Sequence, residues 1–487
     1  MPAAQRGRPD SPSWFITLQA PRSFRRSWVY WINGWLRVRS KSWSERAKTL
    51  QARGKTSPGF QRVQHGIVVE IEGECRLDSN PELPVTEGTA SGKRAPVYST
   101  VLALALAAAA LLLLFVQLAS LPNVRDGHVD FRNLYAAGYM VRTGQGHEIY
   151  DATAQKTFQD KLVSRADVPL LFIRPAYQAL LFAPFSLLPF LPAYFAFFTF
   201  NLAILPLSYL LVRPYLANLS RALPWLPVAM FLYIPIAAAL MQGQDSIILL
   251  ALLAGALACI ERDREYLAGV LVAFGLFKFQ LVIPIAVLFL AWRRWRFSAG
   301  FAGAAAVLAA VSIWIAGIEQ SVHYFRSMMQ VSVSQGIDNG VPLRMNIMAN
   351  LHGAAHAILG QSSLALPLTI AASAATMIYC AIRRPHGVDA LLIAIPASVL
   401  VSYYLFVHDL CILLIPILLT LDRLAGAGKA KYRFGRTQAI AAVLMFAAPA
   451  CLSFATNQFW IASLPLIALT FTAAMRRSTD LPEVACA

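Results

Sequence analysis

Residues 126–151 hold the side chains most suited to acid–base chemistry. Their sequence, DGHVDFRNLYAAGYMVRTGQGHEIYD, comes shortly after a long apolar run. Asp130, Asn133 and Ala137 fall at helical spacing, which predicts an amphipathic helix lying on a membrane surface. A carboxylate at a membrane boundary suits a general base, and Asp130 and Asp126 are the candidates. The alternative interpretation is a solvated loop acid that ends a helix.

Two cations near apolar segments could bind an anionic substrate. Lys278 stands in the run AFGLFKFQLVIP, where a charge is costly and therefore indicates a function. Its ammonium would suit a lipid-linked phosphate as a point charge, unless it only reaches the interface at a helix break. Arg174, three residues before Tyr177, could bind a phosphate bidentately or extend to the membrane interface.

Other polar side chains interrupt the apolar runs. His408 and Asp409 could orient a donor or hold a polar substrate group, or they could cap the start of a helix. The amide of Gln244 could bind sugar hydroxyls, although a tight turn explains the preceding Gly243 equally well.

A long loop and the residues just beyond it contain Arg344, Asn350 and His352. His352 and His356 stand four residues apart, which is a possible metal pair, but no carboxylate stands at a fitting position nearby. No Walker sequence, dinucleotide fingerprint or HExxH motif is present in the sequence, which argues against an ATP-driven pump and a zinc protease.

The elements that position these residues belong to a membrane protein. The chain is 57% hydrophobic and 14% charged, whereas soluble domains carry about 25% charged residues. Residues 101–122 carry no charge, and a membrane span needs roughly 20 apolar residues. Basic residues recur in the short loops between apolar runs, as in the cytoplasmic loops of membrane proteins, so the net charge of +17 reflects topology and no nucleic-acid partner is expected.

The apolar runs predict about 12 spans within residues 97–475. Residues 1–96 form a basic N-terminal extension, either disordered or a membrane-surface helix, and residues 476–487 form a cytoplasmic tail. The basic loops place both termini in the cytoplasm and residues 121–175 and 318–350 outside. The run 176–190 is expected to form a half-helix, and the runs 265–277 and 279–292 are expected to be broken helices.

Several of these segments, in this order, resemble glycosyltransferase family 87, the polyprenol-phosphate-mannose-dependent mannosyltransferases of bacteria, which have the GT-C fold. The matching pieces contain Asp130-Phe131, Tyr135 to Gly138, Gly144, Ile149 to Asp151, Arg174-Pro175, Pro184, Pro189, Gly243-Gln244, Gly269, Lys278, Pro284, Asn350 to Gly353, His408 to Leu410 and Pro416. Together they cover residues 97–475. The resemblance implies an all-α polytopic membrane protein, a GT-C-like bundle of about 12 transmembrane helices with external juxtamembrane helices.

The resemblance also implies a reaction. A hexose, with mannose preferred, would pass with inversion from a polyprenyl-phosphate-linked donor to a hydroxyl of a glycolipid or glycan. The site would face outside at the bacterial inner membrane and would use no cofactor or metal. By similarity Asp130 is the general base, with Asp126 as the fallback. The residues expected to contact the donor phosphate or the substrate are Lys278, Arg174, Arg344, His408, Asp409, Gln244, Tyr177, Asn350 and His352.

Two other functions remain open at this point. A transporter or flippase of lipid-linked sugars would share the membrane bundle and the buried Lys278, but it would not need Asp130 as a base. A non-catalytic scaffold would have no need for a costly intramembrane charge. Loss of sugar transfer on substitution of Asp130 would separate the enzyme from both.

Overall fold

The computed structural model describes residues 95–165, 169–223, 225–334, 336–337, 341–342, 345–360, 362–426, 435–455 and 458–475. The predicted N-terminal extension up to residue 94 and the predicted tail 476–487 lie outside the described residues. The described residues from position 100 onward form one compact unit. The described part of this unit is helical, apart from a short antiparallel pair of strands, β1 (Gly336–Ile337) and β2 (Val341–Pro342).

The α-helices are, in chain order, α1 (Ala95–Ala119), α2 (Leu121–Arg125), α3 (Phe131–Arg142), α4 (Ala152–Leu162), α5 (Ala179–Phe182), α6 (Phe190–Val212), α7 (Ala217–Ala222), α8 (Leu226–Phe231), α9 (Ile234–Gln242), α10 (Ser246–Ile260), α11 (Glu265–Phe274), α12 (Phe279–Ala291), α13 (Trp295–Ala316), α14 (Ile318–Ser334), α15 (Leu351–Leu359), α16 (Ala365–Ala381), α17 (Val388–Val401), α18 (Leu414–Gly426), α19 (Gly435–Ala455) and α20 (Ser463–Met475). Short 3₁₀ helices lie between them at Gly146–Glu148, Ala176–Gln178, Phe185–Leu187, Arg213–Tyr215, Gly275–Lys278, Met345–Ile347, Val407–Leu413 and Phe459–Ala462.

Among the described residues, five apolar helical stretches are long enough to cross a membrane. They are Thr100–Arg125, Phe190–Tyr215, Glu265–Ala291, Trp295–Ala316 and Gly435–Ser453. These stretches confirm the prediction of a helical membrane protein. Other apolar helices are shorter: α10 has 15 residues and is therefore about 22 Å long, against about 30 Å of hydrocarbon in a bilayer. The count of about 12 spans stays a prediction.

The stretch Glu265–Ala291 reverses direction at its centre. A straight helix of its 27 residues would be about 40 Å long, yet Arg294, just beyond its end, forms an ion pair with Glu265 at its start. The reversal occurs at the 3₁₀ helix Gly275–Lys278, so α11 and α12 form a helical hairpin with Lys278 at its tip. The broken helix predicted at Lys278 is confirmed, and its two arms return to the same end of the bundle.

The loops that carry the arginines converge at that end. Arg294 donates a hydrogen bond of 2.9 Å to the carbonyl oxygen of Pro385, and Arg423 forms an ion pair with Asp389. Helix α10 begins after its N-cap, Asp245, and its C-terminus at Ile260 lies at this end. The polar residues near Asp245 therefore lie one helix length, about 22 Å, from the basic loops.

Helix α3 begins next to Asp130, as the spacing predicted, but it is not a surface helix. Both its polar and apolar sides are buried, and the Phe131 ring stacks on Phe197 of α6 with centroids 5.4 Å apart. A Cβ on Gly138 would lie 2.5 Å from the carbonyl carbon of Phe182, so the absence of a side chain permits this close packing. Aromatic side chains of α5 and α6 cover the face that was assigned to the membrane.

The run 176–190 does not form one half-helix. It consists of the 3₁₀ helix Ala176–Gln178, the four residues of α5 and the 3₁₀ helix Phe185–Leu187. Pro184 and Pro189 occupy the N-cap positions of the second 3₁₀ helix and of α6, so each proline marks a boundary between elements.

Candidate active site

Paired buried charges cross the bundle at the N-terminal end of α10. The carboxylate of Asp245 forms an ion pair with the Arg174 guanidinium through Oδ2, and its Oδ1 lies 3.3 Å from the Lys278 ammonium. On its other side Lys278 contacts Oδ1 of Asp409 at 2.5 Å. Two cations alternate with two carboxylates, so each buried charge has an opposite charge beside it. Unpaired, each would cost several kcal/mol.

Loops and interrupted helices position these charges. Asp245 stands at the N-cap of α10, yet its side chain makes no capping hydrogen bond and accepts one from the amide of Gln178 instead. Oδ2 of Asp409 accepts a hydrogen bond of 3.0 Å from the backbone N–H of Phe406. Burial lowers the pKa of the Arg174 guanidinium, while Tyr404, Asp409 and Asp130, in that order, oppose this shift. Arg174 remains charged because an arginine is not deprotonated in proteins.

A half-buried carboxylate stands at the open end of this arrangement. Asp130 precedes α3 at the N-cap position, but its side chain makes no capping hydrogen bond. Oδ2 accepts a hydrogen bond of 2.6 Å from Nε2 of Gln244, and Oε1 of the same amide accepts one of 2.7 Å from Nη2 of Arg174. The backbone N–H of Asp130 donates to Oε1 of Gln242 at 3.2 Å. The two glutamines thus fix the position of Asp130 without enclosing its carboxylate.

The glutamines reach Asp130 from one tight turn. Gly243 between them has a positive φ of 61°, and a Cβ there would lie 2.6 Å from Cβ of Phe131. Glycine satisfies both the backbone conformation and the close approach. The turn was predicted from this glycine, and it carries the polar contacts as well.

The tip of the α11–α12 hairpin places Lys278 between its two carboxylates. The hydroxyl of Tyr177 donates a hydrogen bond of 3.1 Å to the carbonyl oxygen of Phe274, the last residue of α11. A polar side chain thus satisfies a carbonyl at the helix break, as backbone at membrane depth requires. Beside the tip, Nε2 of His408 lies 3.6 Å from Oδ1 of Asp409.

Residues 172–407 match the model of glycosyltransferase family 87. The match covers just under half of the chain and supports assignment to this family. No curated protein and no solved structure shows a significant match to it. The protein is therefore a membrane glycosyltransferase, and the matched segment contains Arg174, Gln244, Asp245 and Lys278. Asp130 and Asp409 lie outside that segment and join the site through the contacts described above.

Four of the residues proposed from the sequence of this glycosyltransferase meet in one contact chain: Asp130, Gln244, Arg174 and Lys278. Asp409 pairs with Lys278, and His408 lies beside Asp409. Asp126 is exposed at the C-cap of α2, and its backbone oxygen accepts a hydrogen bond of 2.6 Å from Ser164. Asp130, rather than the fallback Asp126, is held by the polar network.

Other predicted contacts have structural partners. Asn350 is fully buried: its Oδ1 accepts from the N–H of Gly353 at 2.8 Å, and its amide donates to the carbonyl of Ser402 at 2.7 Å. The amide also donates to the Ser402 hydroxyl at 3.2 Å, so both of its N–H groups are occupied. Asn350 therefore caps α15 and has no free donor for the sugar contact that the sequence predicted. The Tyr177 hydroxyl is likewise occupied at the helix break. Arg344 lies outside the described residues.

The two histidines that stand four residues apart, His352 and His356, both contact backbone carbonyls. Nδ1 of His352 lies 2.5 Å from the carbonyl oxygen of Tyr403, and Nδ1 of His356 lies 3.1 Å from that of Gly360. Within the ranges that the structure describes, no group of three or more His, Cys, Asp or Glu side chains could hold a metal ion.

The sequence interpretation missed Asp245 and Gln178. Asp245 connects the two cations and is fully buried, and Gln178 donates to it. A signal was available for Asp245, because it directly precedes the apolar run of α10. The residues around Gln244 were interpreted only as a tight turn. For Gln178, which follows Tyr177, nothing in the sequence indicated a buried position.

Proposed function

We propose that the chain transfers a hexose from a polyprenyl-phosphate-linked donor to an acceptor hydroxyl, with inversion, on the extracytoplasmic face of the bacterial inner membrane. Mannose is the preferred sugar, and the acceptor is a glycolipid or a glycan. The match to glycosyltransferase family 87 supports the transfer of a sugar. The donor class, mannose and inversion rest on the resemblance drawn from the sequence.

The observation that carries this proposal is the position of Asp130. Its carboxylate is half-buried, has one oxygen held by Gln244, and makes no capping bond. Asp130 accepts the proton of the acceptor hydroxyl, and the hydroxyl oxygen forms the new bond to the anomeric carbon. The bond from that carbon to the phosphate oxygen breaks, and its electron pair leaves with the phosphate. The phosphate departs without protonation, so one carboxylate is sufficient.

The leaving phosphate needs a positive charge, and Arg174 is the cation placed next to the base. Gln244 contacts both side chains, so a group bound by Arg174 lies close to Asp130. Gln244 and Asp245 each contact one Nη atom of the guanidinium. An arginine has five N–H donors, so further donors remain for a phosphate.

Lys278 acts differently from what the sequence suggested. Its side chain is 2% exposed, and its ammonium has Asp245 at 3.3 Å and Asp409 at 2.5 Å. An ammonium held by two buried carboxylates is not available as a point charge for a phosphate. Lys278 is therefore a positioning residue, which holds Asp245 against Arg174.

The proposed orientation follows from the basic loops. They converge at the end of the bundle that lies one length of α10 from Asp245. Cytoplasmic loops carry the excess of Lys and Arg, so the opposite end, with Asp130, faces outside. No observation on the described residues favours the transporter that was considered as the alternative.

The experiment is sugar transfer from radiolabelled polyprenyl-phosphate-mannose in membranes that contain the wild type, Asp130→Asn or Asp126→Asn. We expect the wild type to transfer mannose to a lipid or glycan extract and Asp130→Asn to lose a factor of about 10² to 10⁴ in rate. Asp126→Asn is the matched control and is expected to keep the wild-type rate, since its carboxylate is exposed.

Two results would contradict the proposal. A rate that falls in Asp126→Asn and not in Asp130→Asn would move the base to Asp126. A wild type that transfers no sugar from several polyprenyl-phosphate donors, yet moves the intact lipid across vesicles, would establish a transporter.

A further inference from the structure

A cleft of about 370 Å³ lies between α14 and the segment 150–173, beside the polar network of Arg174. Its walls include Tyr150, Gln155 and residues 171–173, together with side chains of one face of α14 between Glu319 and Met328. The volume is in the range of sites that bind a small molecule. The proposed general base, Asp130, does not line this cleft, and neither do the buried cations Arg174 and Lys278.

Helix α14 turns two different faces outward. Ile318, Val322 and Phe325 repeat at helical spacing and are 71%, 43% and 61% exposed. An exposed apolar stripe on an otherwise polar helix is typical of a helix lying in the membrane interface. The residues that line the cleft fall on a separate polar face and are Glu319, Gln320, His323, Tyr324 and Ser327. The cleft therefore opens at the level of the membrane surface, with polar groups inside it.

Two polar atoms in the wall are buried and have no hydrogen-bond partner among the described residues. They are Oε1 of Gln320 and the hydroxyl of Tyr324. Burial raises the pKa of the Tyr324 hydroxyl well above its ordinary value, so it remains a hydrogen-bond donor at neutral pH. Buried polar atoms are nearly always paired in native proteins, which indicates that a polar ligand completes these bonds.

The ligand chemistry that fits is a sugar. The Tyr324 ring stacks on the Tyr150 ring with centroids 4.8 Å apart and an angle of 18° between the planes. Aromatic surface beside an acceptor, a donor and a carboxylate matches the apolar faces and hydroxyls of a hexose. An acyl chain would leave the polar atoms of Gln320 and Tyr324 unsatisfied.

The cleft is connected to the catalytic residues by direct contacts. The Tyr150 hydroxyl donates a hydrogen bond of 3.0 Å to the carbonyl oxygen of Arg174. The amide of Asn133, one turn into α3 from Asp130, donates to the carbonyl of Leu171 in the cleft wall at 3.3 Å. A sugar bound against Tyr150 is thus adjacent to the segment that carries Arg174.

We propose that this cleft binds the terminal sugar of the acceptor through Gln320 and Tyr324, with the acceptor hydroxyl presented to Asp130. The inference rests on the proposed transfer reaction and assigns the acceptor side of it to α14. The interfacial position of α14 admits a sugar whose lipid tail stays in the membrane.

The test uses the full chain in nanodiscs, octyl α-mannoside as the acceptor probe and methyl α-mannoside as its tail-free counterpart. Initial rates with polyprenyl-phosphate-mannose give a KM for each substrate, and calorimetry gives the Kd of octyl mannoside without the donor. We expect Gln320→Leu and Tyr324→Phe to raise both the acceptor KM and this Kd at least 5-fold and to leave the donor KM unchanged. Stronger binding of the octyl than the methyl sugar would identify a lipid-borne acceptor; equal binding would identify a free glycan.

Phe325→Leu on the apolar face of α14 is the matched control and should keep wild-type constants. Melting temperatures within 2 °C or so of the wild type would show that the variants fold, since about 1 kcal/mol shifts the Tm by a few degrees in a domain of this size or smaller. A wild-type Kd in both cleft variants would overturn the inference even if transfer occurs. Binding that is weakened in the variants while the wild type transfers no mannose would overturn the proposed reaction and leave the cleft assignment standing.

Discussion

The amide of Gln244 donates a 2.6 Å hydrogen bond to the carboxylate of Asp130, from a position 114 residues along the chain. Its oxygen accepts from Arg174 at the same time. One amide thereby sets the distance between the proposed base and the cation proposed for the leaving phosphate. The orientation of the amide is fixed by the arginine, since only its oxygen can accept from the guanidinium.

This relationship predicts a specific kinetic effect for Gln244→Leu. Without the amide, Asp130 loses its hydrogen bond and Arg174 loses one partner, so the base is no longer held in place. We expect kcat to fall by about 10²-fold, the order found for small displacements of a catalytic group. Steady-state kinetics with radiolabelled donor measure it.

The control is Gln117→Leu, which removes another glutamine hydrogen bond, of 3.1 Å to the carbonyl of Ala237, in α1. Its kcat should remain within about 3-fold of the wild type, the usual spread of single contributions. Equal losses in the two variants would mean that Gln244 contributes to the fold alone.

The ion pairs of Lys278 predict that its removal destabilises the fold. Lys278→Met leaves the buried carboxylates of Asp245 and Asp409 without their shared cation. Breaking a buried pair costs about 3–5 kcal/mol. Thermal unfolding in detergent should therefore show a lower melting temperature for this variant.

The double variant Lys278→Met/Asp409→Leu removes one of the two orphaned charges. Its loss of melting temperature should be smaller than the sum of the losses in the two single variants, because contacting residues are energetically coupled. If Lys278→Met instead keeps the wild-type melting temperature and loses only activity, Lys278 binds the substrate and is not a positioning residue.

The helical hairpin of α11 and α12 predicts that Arg264 and Arg296 face the same side of the membrane. We expect Arg264→Cys and Arg296→Cys, each in a chain without its six native cysteines, to resist an impermeant maleimide applied to intact cells. His147→Cys, at an exposed position of the 3₁₀ helix Gly146–Glu148, should react. Opposite labelling of the two arginine positions would mean that Glu265–Ala291 crosses the membrane once.

Burial of His352 predicts a loss of stability at acidic pH. Burial lowers its pKa below the ordinary 6.5, with a smaller lowering from His356 and an opposing contribution from the Tyr403 carbonyl. Below pH 6.5 the unfolded chain therefore binds a proton that the folded chain does not, and stability falls as the pH falls towards the folded pKa. Above pH 6.5 the residue makes no pH-dependent contribution.

Melting temperatures of the wild type and His352→Gln between pH 5 and pH 8 measure this effect, since histidine titrates in about that range. The wild type should lose more stability than the variant on acidification. Parallel curves for the two proteins would show that His352 is not the source of the acid sensitivity.

Much of the site was predictable because a polar or charged side chain between apolar membrane segments costs free energy. A lysine within AFGLFKFQLVIP and a His–Asp pair at positions 408 and 409 are both unusual between apolar runs, so each indicates a function without knowledge of its contacts. Asp130 and Gln244 were selected singly, from helical spacing and from a glycine turn. None of these arguments required the residues to meet.

The burial of α3 and the roles of Asn350 and Lys278 were not predictable in this way. Apolar residues at helical spacing show that a helix has an apolar and a polar face. They do not show whether lipid or other helices cover the apolar face. Asn350 is polar in sequence and fully buried in the structure because it caps α15 and binds Ser402. A polar residue at a loop therefore indicates chemistry and capping equally.

By itself the sequence determined that this chain is a helical membrane protein, because runs of some 20 apolar residues are stable only in a bilayer. It also determined where the helices break, since prolines, glycines and a buried lysine interrupt the apolar pattern locally. Only the tertiary structure decided that Asp130, Gln244, Arg174, Asp245 and Lys278 form one contact chain. The physical reason is that ion pairs and hydrogen bonds act over a few ångströms, whereas Gln244 and Asp130 are 114 positions apart and Lys278 and Asp409 are 131 apart, and no local pattern encodes such partners.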